Sequence, residues 1–369
     1  MSKIGVLFDN ISGNTGDVAI GLSVRKILRE NGIESDMLFP GNFDPDKYGT
    51  IIIGGGRIIR PGPDFFYDKF KVPGSHILNA VGIAGSPKDL GYLDDYKYVT
   101  VRSTGDKDKL GYVKNKVHVV PCTAMLLEDL KEFQVHPKGP SLGINLSPGS
   151  FNGLEEREFI RWASSLPLTI YFIPIMHYKW DYRYMQRLSA SIPNSVALPI
   201  LKPLEIFTLI GRMDRMITYS LHGGIFSYVH NKPFILCDQI DKMRFFMEDR
   251  GLQRYLFKDL QGMKGSFKSL YEEPPDYTRL ISRDLQVLDR HVDRLVELLP
   301  AGDGEPLKDD GSDEAFQQYH YLHSMRMSMS VVGREGNNSG PKPLPSIRGR
   351  SVAIYQGVLR RVKDRVMGP

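Results

Sequence analysis

Cysteine is scarce in this chain of 369 residues, which has only Cys122 and Cys237. Two cysteines provide no disulfide framework for a chain of this length, and such scarcity is typical of a reducing compartment. We therefore expect a cytoplasmic location. Because Cys122, Cys237 and His118 lack the spacing of a ligand set, we expect no zinc or other metal site.

Long apolar runs are missing too. No stretch reaches the roughly 20 apolar residues that a membrane-spanning helix needs. No basic and apolar signal segment precedes the strand pattern that starts at Ile4. The net charge is only +5, and the dispersed basic residues form no stripe of the kind that binds nucleic acid. The sequence therefore predicts a soluble protein with no nucleic-acid partner.

Two phosphate-binding signatures are absent as well. No G-x-G-x-x-G follows the first predicted strand, and the chain has no Walker loop. These absences argue against a typical dinucleotide-binding protein and against nucleotide hydrolysis.

Short apolar runs alternate with helical patterns through most of the chain. The alternation predicts an α/β fold with parallel sheets and helices on both faces. The pattern restarts at Ser141, after a linker at 135–140 with two prolines and a glycine. We therefore predict two Rossmann-like, doubly wound domains, at 1–134 and 141–299, that face a cleft in which ligands bind.

The last seventy residues have a different composition. Residues 300–350 are rich in glycine, proline and charge, so we expect a flexible polar tail, interrupted by a weak helical pattern at 315–330. Residues 351–367 form a basic amphipathic pattern. Such a helix either contacts an anionic membrane at its periphery or packs against the first domain.

The segment 216–242 has the strongest functional pattern. A short apolar strand is followed by Ser220 and His222, and then Gly223 opens a predicted helix; a polar turn with Lys242 comes later. Ligands of open α/β sheets bind beyond the carboxyl ends of strands, and helix N-termini bind anions. The pattern predicts an anion site within reach of His222.

The first domain has two comparable patterns. Asn14, Gly16 and Asp17 stand at the start of the first predicted helix, where they either cap the helix or meet a ligand. Gly54, Gly55 and Gly56 end a buried strand, where glycine permits close approach of the backbone to a ligand.

Four segments together resemble the polysaccharide pyruvyl transferase family, whose fold is of the glycosyltransferase-B kind. They are residues 14–20 (NTGDVAI), 51–56 (IIIGGG), 101–103 (VRS) and the Ser220-Leu221-His222 region with Asp241-Lys242. The chain has Ser220 where the family usually has arginine, and Cys122 where it often has aspartate.

The resemblance implies transfer of a pyruvyl group from phosphoenolpyruvate to sugar hydroxyls, giving a ketal, with no cofactor. The partners implied are phosphoenolpyruvate and a sugar or lipid-linked glycan, with the acceptor on the first domain and the donor on the second. We expect His222 and Asp17 to be catalytic. The expected substrate-binding residues are Asn14, Gly16, Gly55, Gly56, Arg57, Arg102, His177, Ser220, Gly223 and Lys242.

Two alternatives remain open from the sequence. A glycosyltransferase that uses a nucleotide sugar would occupy the same kind of cleft. A catalytically weakened, sugar-binding protein would account for Ser220, because serine lacks the fork with which arginine binds carboxylate or phosphate.

Overall fold

The computed structural model describes residues 3–300 and 305–329. Within these residues the chain forms two parallel sheets of six strands each. The strands of the first are β1 (Lys3–Leu7), β2 (Ser35–Leu38), β3 (Tyr48–Gly54), β4 (Ile77–Val81), β5 (Tyr98–Val101) and β6 (Val117–Val119). The strands of the second are β7 (Ser141–Asn145), β8 (Thr169–Phe172), β9 (Ser195–Ala197), β10 (Arg215–Thr218), β11 (Phe234–Cys237) and β12 (Leu256–Phe257).

The α-helices fill the connections and cover the sheets. They are α1 (Thr15–Glu30), α2 (Thr104–Asp108), α3 (Gly153–Ser165), α4 (Asp181–Ser189), α5 (Pro203–Gly211), α6 (Leu221–Val229), α7 (Asp241–Glu248), α8 (Leu260–Glu272), α9 (Thr278–Glu297) and α10 (Ser312–Met329). One local prediction was wrong: Lys242 lies in the first turn of α7, where a polar turn was expected. His222 likewise lies inside the first turn of α6.

Strand β3 shows why the sheets are covered on both sides. Ile51 and Ile53 belong to one apolar cluster and Ile52 to another, and all three are fully buried. Successive side chains of a strand point to opposite faces, so a continuous apolar run requires cover on both faces. The predicted α/β architecture of two doubly wound sheets is confirmed.

Each sheet reverses its strand order once. The first has the order β2-β1-β3-β4-β5-β6, so the chain winds in opposite directions from β1 and β3. The second has the order β12-β11-β10-β7-β8-β9, with the reversal between β7 and β10. A crevice forms beyond the carboxyl ends of strands at such a reversal and is the usual ligand site of this architecture.

The two sheets are joined by backbone hydrogen bonds near these crevices. The Thr15 amide donates to the Ile175 carbonyl at 3.2 Å, and the His177 amide donates to the Gly13 carbonyl at 3.2 Å. An isolated antiparallel bridge pairs Asn14 with Met176. The start of α1 is therefore fixed against the segment that follows β8.

Helix α10 contacts both halves of the molecule. Asp313 forms ion pairs with Arg25 and Arg29 of α1, and Phe316 packs edge-on against Phe8 at 5.6 Å. On the other half, the Leu204 amide of α5 donates to Gln317. The weak helical pattern at 315–330 is therefore an ordered helix within the segment 300–350 that was expected to be flexible, because its aromatic and polar side chains find partners on both halves.

Helix α9 also crosses between the halves. The His291 ring is within hydrogen-bonding distance of Asn79 (2.8 Å) and Tyr98 (3.3 Å), which belong to the first sheet. Helix α9, which the sequence assigned to the second domain, therefore packs on the first sheet.

No helix in the described part of the chain is long and apolar enough to span a membrane. The basic amphipathic pattern at 351–367 lies outside the described residues.

Three histidines lie where α10 meets the rest of the molecule. The rings of His177 and His320 are 6.1 Å apart, and His323 is within 2.9 Å of the Ile11 carbonyl. Burial lowers the pKa of all three histidines, because it disfavours the charged ring. The three rings are therefore neutral near pH 7.

We predict that acidification destabilises this contact. The unfolded chain takes up protons below its histidine pKa of about 6.5 while the folded chain does not, so stability present above this pH is lost as pH falls. His320→Gln should reduce the loss between about pH 7.5 and 5.5 by about 1 kcal/mol. Urea unfolding at both pH values measures this difference. His136→Gln, at an exposed position, serves as the control, and an equal pH dependence in both variants would contradict the prediction.

Candidate active site

Arg102 is a buried guanidinium with unused donors. It follows β5 directly and is only 7% exposed. Its Nε, Nη1 and Nη2 atoms have no hydrogen-bond partner among the described residues. Asp106 lies 3.9 Å away, but its carboxylate accepts hydrogen bonds from Ser103 and the Ile83 amide. A buried guanidinium without hydrogen-bond partners suits a carboxylate or phosphate ligand.

Lys242 provides a second cation beside Arg102. Loss of solvent and the neighbouring Arg102 charge lower its pKa to about 7, against the attraction of Asp17. Its ammonium makes no hydrogen bond with any residue that the structure describes, and only burial and neighbouring charges affect its pKa. Two cations whose nitrogens make no hydrogen bond to a described residue thus lie at the junction of the two halves, one from each.

Asp17 is the carboxylate whose charge raises the pKa of Lys242. Burial and then the negative charge of Asp9 raise its pKa to about 7, although Lys242 and Arg102 oppose the shift. One oxygen accepts a hydrogen bond from Asn14 at 2.7 Å, and the other, Oδ1, is buried and unpaired within the described chain. A carboxyl group with this pKa can take up and release a proton near neutrality.

Gly56 lets the backbone after β3 approach this carboxylate. A Cβ atom at Gly56 would lie 2.8 Å from both Asp17 oxygens, and its φ of +67° disfavours any other residue. Asp9, which follows β1, is itself 3% exposed. The carboxyl ends of β1 and β3 therefore meet the start of α1, at the reversal point of the first sheet.

His222 packs directly on Gly16 across the junction. A Cβ at Gly16 would lie 1.8 Å from His222 Nδ1, so the contact requires glycine. The ring is 1% exposed, and its Nε2 lies 3.9 Å from the Cys122 sulfur. Burial, with Lys242 and Arg102 nearby, holds the pKa of His222 well below its usual value, so the ring is neutral near pH 7.

The start of α6 faces the same place. Ser220 occupies the N-cap position, but its side chain makes no capping hydrogen bond. The first-turn amides of a helix have no partner within the helix, and its positive dipole end favours anions. The start of α6 therefore adds to the positive side of the site.

The other predicted residues have different surroundings. Arg57 is partly buried, and burial together with the charges of Arg60 and Arg102 lowers its pKa. A Cβ at Gly55 would meet Phe8 at 3.2 Å, and one at Gly223 would meet the Thr218 hydroxyl at 2.3 Å. Both glycines thus permit close packing, whereas Arg57 adds to the cationic cluster.

His177 lies in a different environment from the one expected. Its ring is fully buried between the halves, with Nε2 3.2 Å from the Thr15 hydroxyl and His320 on another side. The ring is as enclosed as that of His222, and its Nδ1 has no hydrogen-bond partner among the described residues, so its expected contact with substrate stays a prediction.

Three residues near Asp17 escaped the sequence analysis: Asp9, Tyr67 and Tyr178. The available signal for Asp9 was its place two residues after β1, because that position lies at a strand's carboxyl end. The tyrosines stand in short 3₁₀ turns, at Tyr67–Phe70 and His177–Lys179, whose place follows only from the fold. No group of three or more metal-ligating side chains occurs among residues 3–300 and 305–329.

Solved structures identify the fold as glycosyltransferase-B-like. A UDP-GlcNAc 2-epimerase of Methanocaldococcus jannaschii, in complex with UDP-GlcNAc and UDP, superposes with a TM-score of 0.50 at 11% identity, covering 78% of this chain and 99% of the epimerase. MnaA of S. aureus, in complex with UDP, also has a TM-score of 0.50 at 11% identity, covering 92% of this chain and all of MnaA. Identity this low supports the fold alone.

The match to a sequence family is more specific than the similarity to solved structures. Residues 14–240 match the model of the polysaccharide pyruvyl transferase family, and this span is well over half of the chain. The chain therefore belongs to that family. No curated protein matches the chain.

Gly16→Ala should destabilise the protein and abolish activity, because its Cβ would overlap the His222 ring. Overpacking of this kind typically costs about 1–3 kcal/mol. Gly265→Ala is the matched control: it lies in α8 with nothing within 4 Å of the added Cβ, so alanine should stabilise it by about 0.5–1 kcal/mol.

Adding His222→Gly to Gly16→Ala removes all three atoms that the new Cβ would meet, Nδ1, Cγ and Cβ of His222, and should restore part of the lost stability without restoring activity. Chemical unfolding of the single and double variants gives the coupling energy. Additive destabilisation would contradict the contact described here.

Proposed function

We propose that this protein transfers a pyruvyl group from phosphoenolpyruvate to two hydroxyl groups of a sugar, forming a ketal in a polysaccharide or lipid-linked glycan. The observation that carries the proposal is the buried Arg102 fork, which has no hydrogen-bond partner among the described residues, beside Lys242 and the start of α6. Phosphoenolpyruvate carries a carboxylate and a phosphate, and this cluster provides cations for both. Family membership supports the reaction class.

The reaction needs proton transfer at two places. The methylene carbon of the donor gains a proton, which leaves a cationic carbon that the first hydroxyl attacks; the second hydroxyl then displaces phosphate. One hydroxyl proton balances the protonated methyl group, and the other leaves with phosphate. The net change is one diol and one phosphoenolpyruvate converted to one ketal and one phosphate.

Asp17 is the acid–base residue in this proposal. With a pKa raised to about 7 and an unpaired oxygen, it can accept a hydroxyl proton near neutrality and give it up again. His222 is neutral and buried, so it is a weaker candidate for the proton donor than the sequence suggested. Its proposed role is to position the start of α1 and to hydrogen-bond the donor phosphate.

Ser220 in the arginine position does not remove positive charge from the site. Arg102 and Arg57 bring guanidinium groups from the first half, and each affects the pKa of Lys242. We propose that they bind the donor in place of the arginine, which argues against the weakened-enzyme alternative.

Phosphoenolpyruvate should raise the melting temperature of the protein. A ligand at about 100 times its dissociation constant stabilises the native state by about 2.7 kcal/mol. Arg102→Met should abolish the shift, and Arg102→Lys should reduce it, because lysine lacks the fork. Arg290→Met, at an exposed position on α9, should keep the full shift.

A panel of nucleotide sugars is tested in the same way. A shift with nucleotide sugars alone would favour a glycosyltransferase over the proposed pyruvyl transfer. Glycan binding without phosphate release from phosphoenolpyruvate would indicate a sugar-binding protein.

Activity should be highest near pH 7 and fall on both sides. Below about pH 7 Asp17 becomes protonated and cannot act as the base, and above about pH 7 Lys242 loses the charge that binds the donor. Phosphate release measured across pH gives this profile. Asp17→Asn should lower kcat by at least about a hundredfold and, in the residual rate, remove the acidic limb; an unchanged acidic limb would contradict the assignment.

A further inference from the structure

Arg102 and Arg250 are equally buried arginines that differ in their partners. Each is 7% exposed. Arg250 donates to the Phe246 carbonyl at 3.0 Å and forms an ion pair of 2.6 Å with Asp284. The three guanidinium nitrogens of Arg102, in contrast, make no hydrogen bond with a described residue. Because a buried charge is costly unless it is paired, Arg102 must be held in place by something other than polar partners.

Gly82 provides the surface against which Arg102 lies. A Cβ atom at Gly82 would be 2.9 Å from Nε and 2.7 Å from Cζ of Arg102, and nearer still to Nη2. The guanidinium group therefore occupies the space that a side chain at position 82 would take. The φ of Gly82 lies outside the left-handed region, so the backbone itself does not require glycine there. Glycine at this position serves the arginine rather than the chain conformation.

An irregularity in β4 determines which residue lies beside Arg102. Leu78 pairs with Val99 of β5, and Val81 pairs with Val101, so β4 has one residue more than β5 between these two pairs. In a regular register Val81 would stand opposite Arg102, and the extra residue puts Gly82 there instead. Bulges of this kind redirect side chains and are frequent next to active sites.

Thr100 holds this bulge in place. Its hydroxyl is fully buried, accepts a hydrogen bond from the Ala80 amide at 2.7 Å and donates to the Leu78 carbonyl at 2.8 Å. Ala80 has a φ of 47°, which is unfavourable for a residue other than glycine. The hydroxyl of Thr100 therefore stabilises a backbone conformation that alanine adopts at a cost.

The carboxylate beside Arg102 is occupied by other donors. Asp106 accepts hydrogen bonds from the Ser103 hydroxyl at 2.6 Å and from the Ile83 amide at 2.8 Å. The Nε atom of Arg102 stays 3.9 Å away, beyond hydrogen-bonding distance. Ile83 and Ser103 directly follow Gly82 and Arg102 in the chain. The same two segments thus hold the guanidinium group and keep this carboxylate from pairing with it.

The segment that supports Arg102 is also joined to Asp17. The Gly82 amide donates to the Gly56 carbonyl at 2.8 Å. Gly56 in turn packs against the Asp17 carboxylate, because a Cβ at Gly56 would lie 2.8 Å from both of its oxygens. Two hydrogen-bonded glycines at the ends of neighbouring strands therefore fix the places of the guanidinium and the carboxyl group.

We propose that Gly82 and Thr100 are positioning residues that reserve the Arg102 guanidinium for an anionic ligand. Gly82 leaves room for the guanidinium, and Thr100 keeps the bulge that places Gly82 under it. The ligand carries a carboxylate or a phosphate, whose oxygens supply the hydrogen bonds that the described residues do not. This role requires anion binding at Arg102. The identity of the anion as phosphoenolpyruvate rests on the proposed function.

The test measures anion binding to the full chain by isothermal titration calorimetry, with phosphoenolpyruvate, pyruvate and inorganic phosphate. Gly82→Ala should weaken binding of the tightest anion by about tenfold or more, or roughly 1.4 kcal/mol, because the new methyl group displaces the guanidinium. In an Arg102→Lys background the same substitution should cost at most about threefold, because lysine has no guanidinium to displace. Gly91→Ala is the matched control, since nothing lies within 4 Å of its added Cβ.

Thr100 and NMR provide two further measurements. Thr100→Val removes both hydrogen bonds of the hydroxyl and should also weaken anion binding, whereas Thr100→Ser keeps the hydroxyl and should bind within about threefold of the unmodified protein. The Nε–H signal of Arg102, identified by its loss in Arg102→Lys, should move in Gly82→Ala without any ligand and stay in place in Gly91→Ala. Thermal unfolding shows that each variant is folded.

The outcomes separate the positioning role from the donor assignment. Full affinity in Gly82→Ala, an equal loss in the Arg102→Lys background, or no binding of any of these anions by the unmodified protein would overturn the positioning role. Binding of pyruvate or phosphate that depends on Gly82, without binding of phosphoenolpyruvate, would support the positioning role and contradict the donor assignment. Phosphoenolpyruvate binding that is lost in Arg102→Met but kept in Gly82→Ala would support only the donor assignment.

Discussion

The contact between Gly16 and His222 is the constraint on which the rest of the site depends. It brings the first turns of α1 and α6 together, one from each half of the molecule, at a separation that a single added methyl group would prevent. Asp17 is the next residue of α1, and Asn14, which caps that helix, donates to its carboxylate. Asp17, the proposed acid–base group, and the positive start of α6 are thus placed by one packing contact.

The site buries several charged groups, which lowers the stability of the fold. Asp9, Asp17 and Arg102 are each less than a tenth exposed, and burying a charged group is costly unless it is paired. The result is that the pKa of the Asp17 carboxyl group and that of the Lys242 ammonium are both about 7, which suits the proposed proton transfer. Perturbed groups of this kind cluster at functional sites, and here each half supplies part of the cluster.

Much of the fold was predictable from the sequence, because alternating apolar runs and helical patterns follow from local periodicity. The starts of α1 and α6 were predicted as ligand sites for the same reason: Asn14 and Ser220 mark helix caps after strands. The sequence did not predict the direction of the pKa shifts, since these depend on burial and on charges that come from distant segments, such as Arg102 beside Lys242. It also did not predict that the His177 ring packs between the halves, because a position at a strand end is shared by ligand contacts and by packing contacts. The sequence indicated only a weak helix at the position of α10, because the chain around it is polar and its partners in α1 and α5 are remote in sequence.

The place of α10 in the chain has a consequence for the order in which the site forms. Domains fold as units during synthesis, with the N-terminal parts first. Both sheets are complete by residue 257, whereas the helix that contacts both halves begins only at Ser312. Each half therefore emerges from the ribosome and can fold before the segment that helps hold them together has been translated. The junction that contains Asp17, Arg102 and Lys242 reaches its full set of supporting contacts late in the biogenesis of the protein.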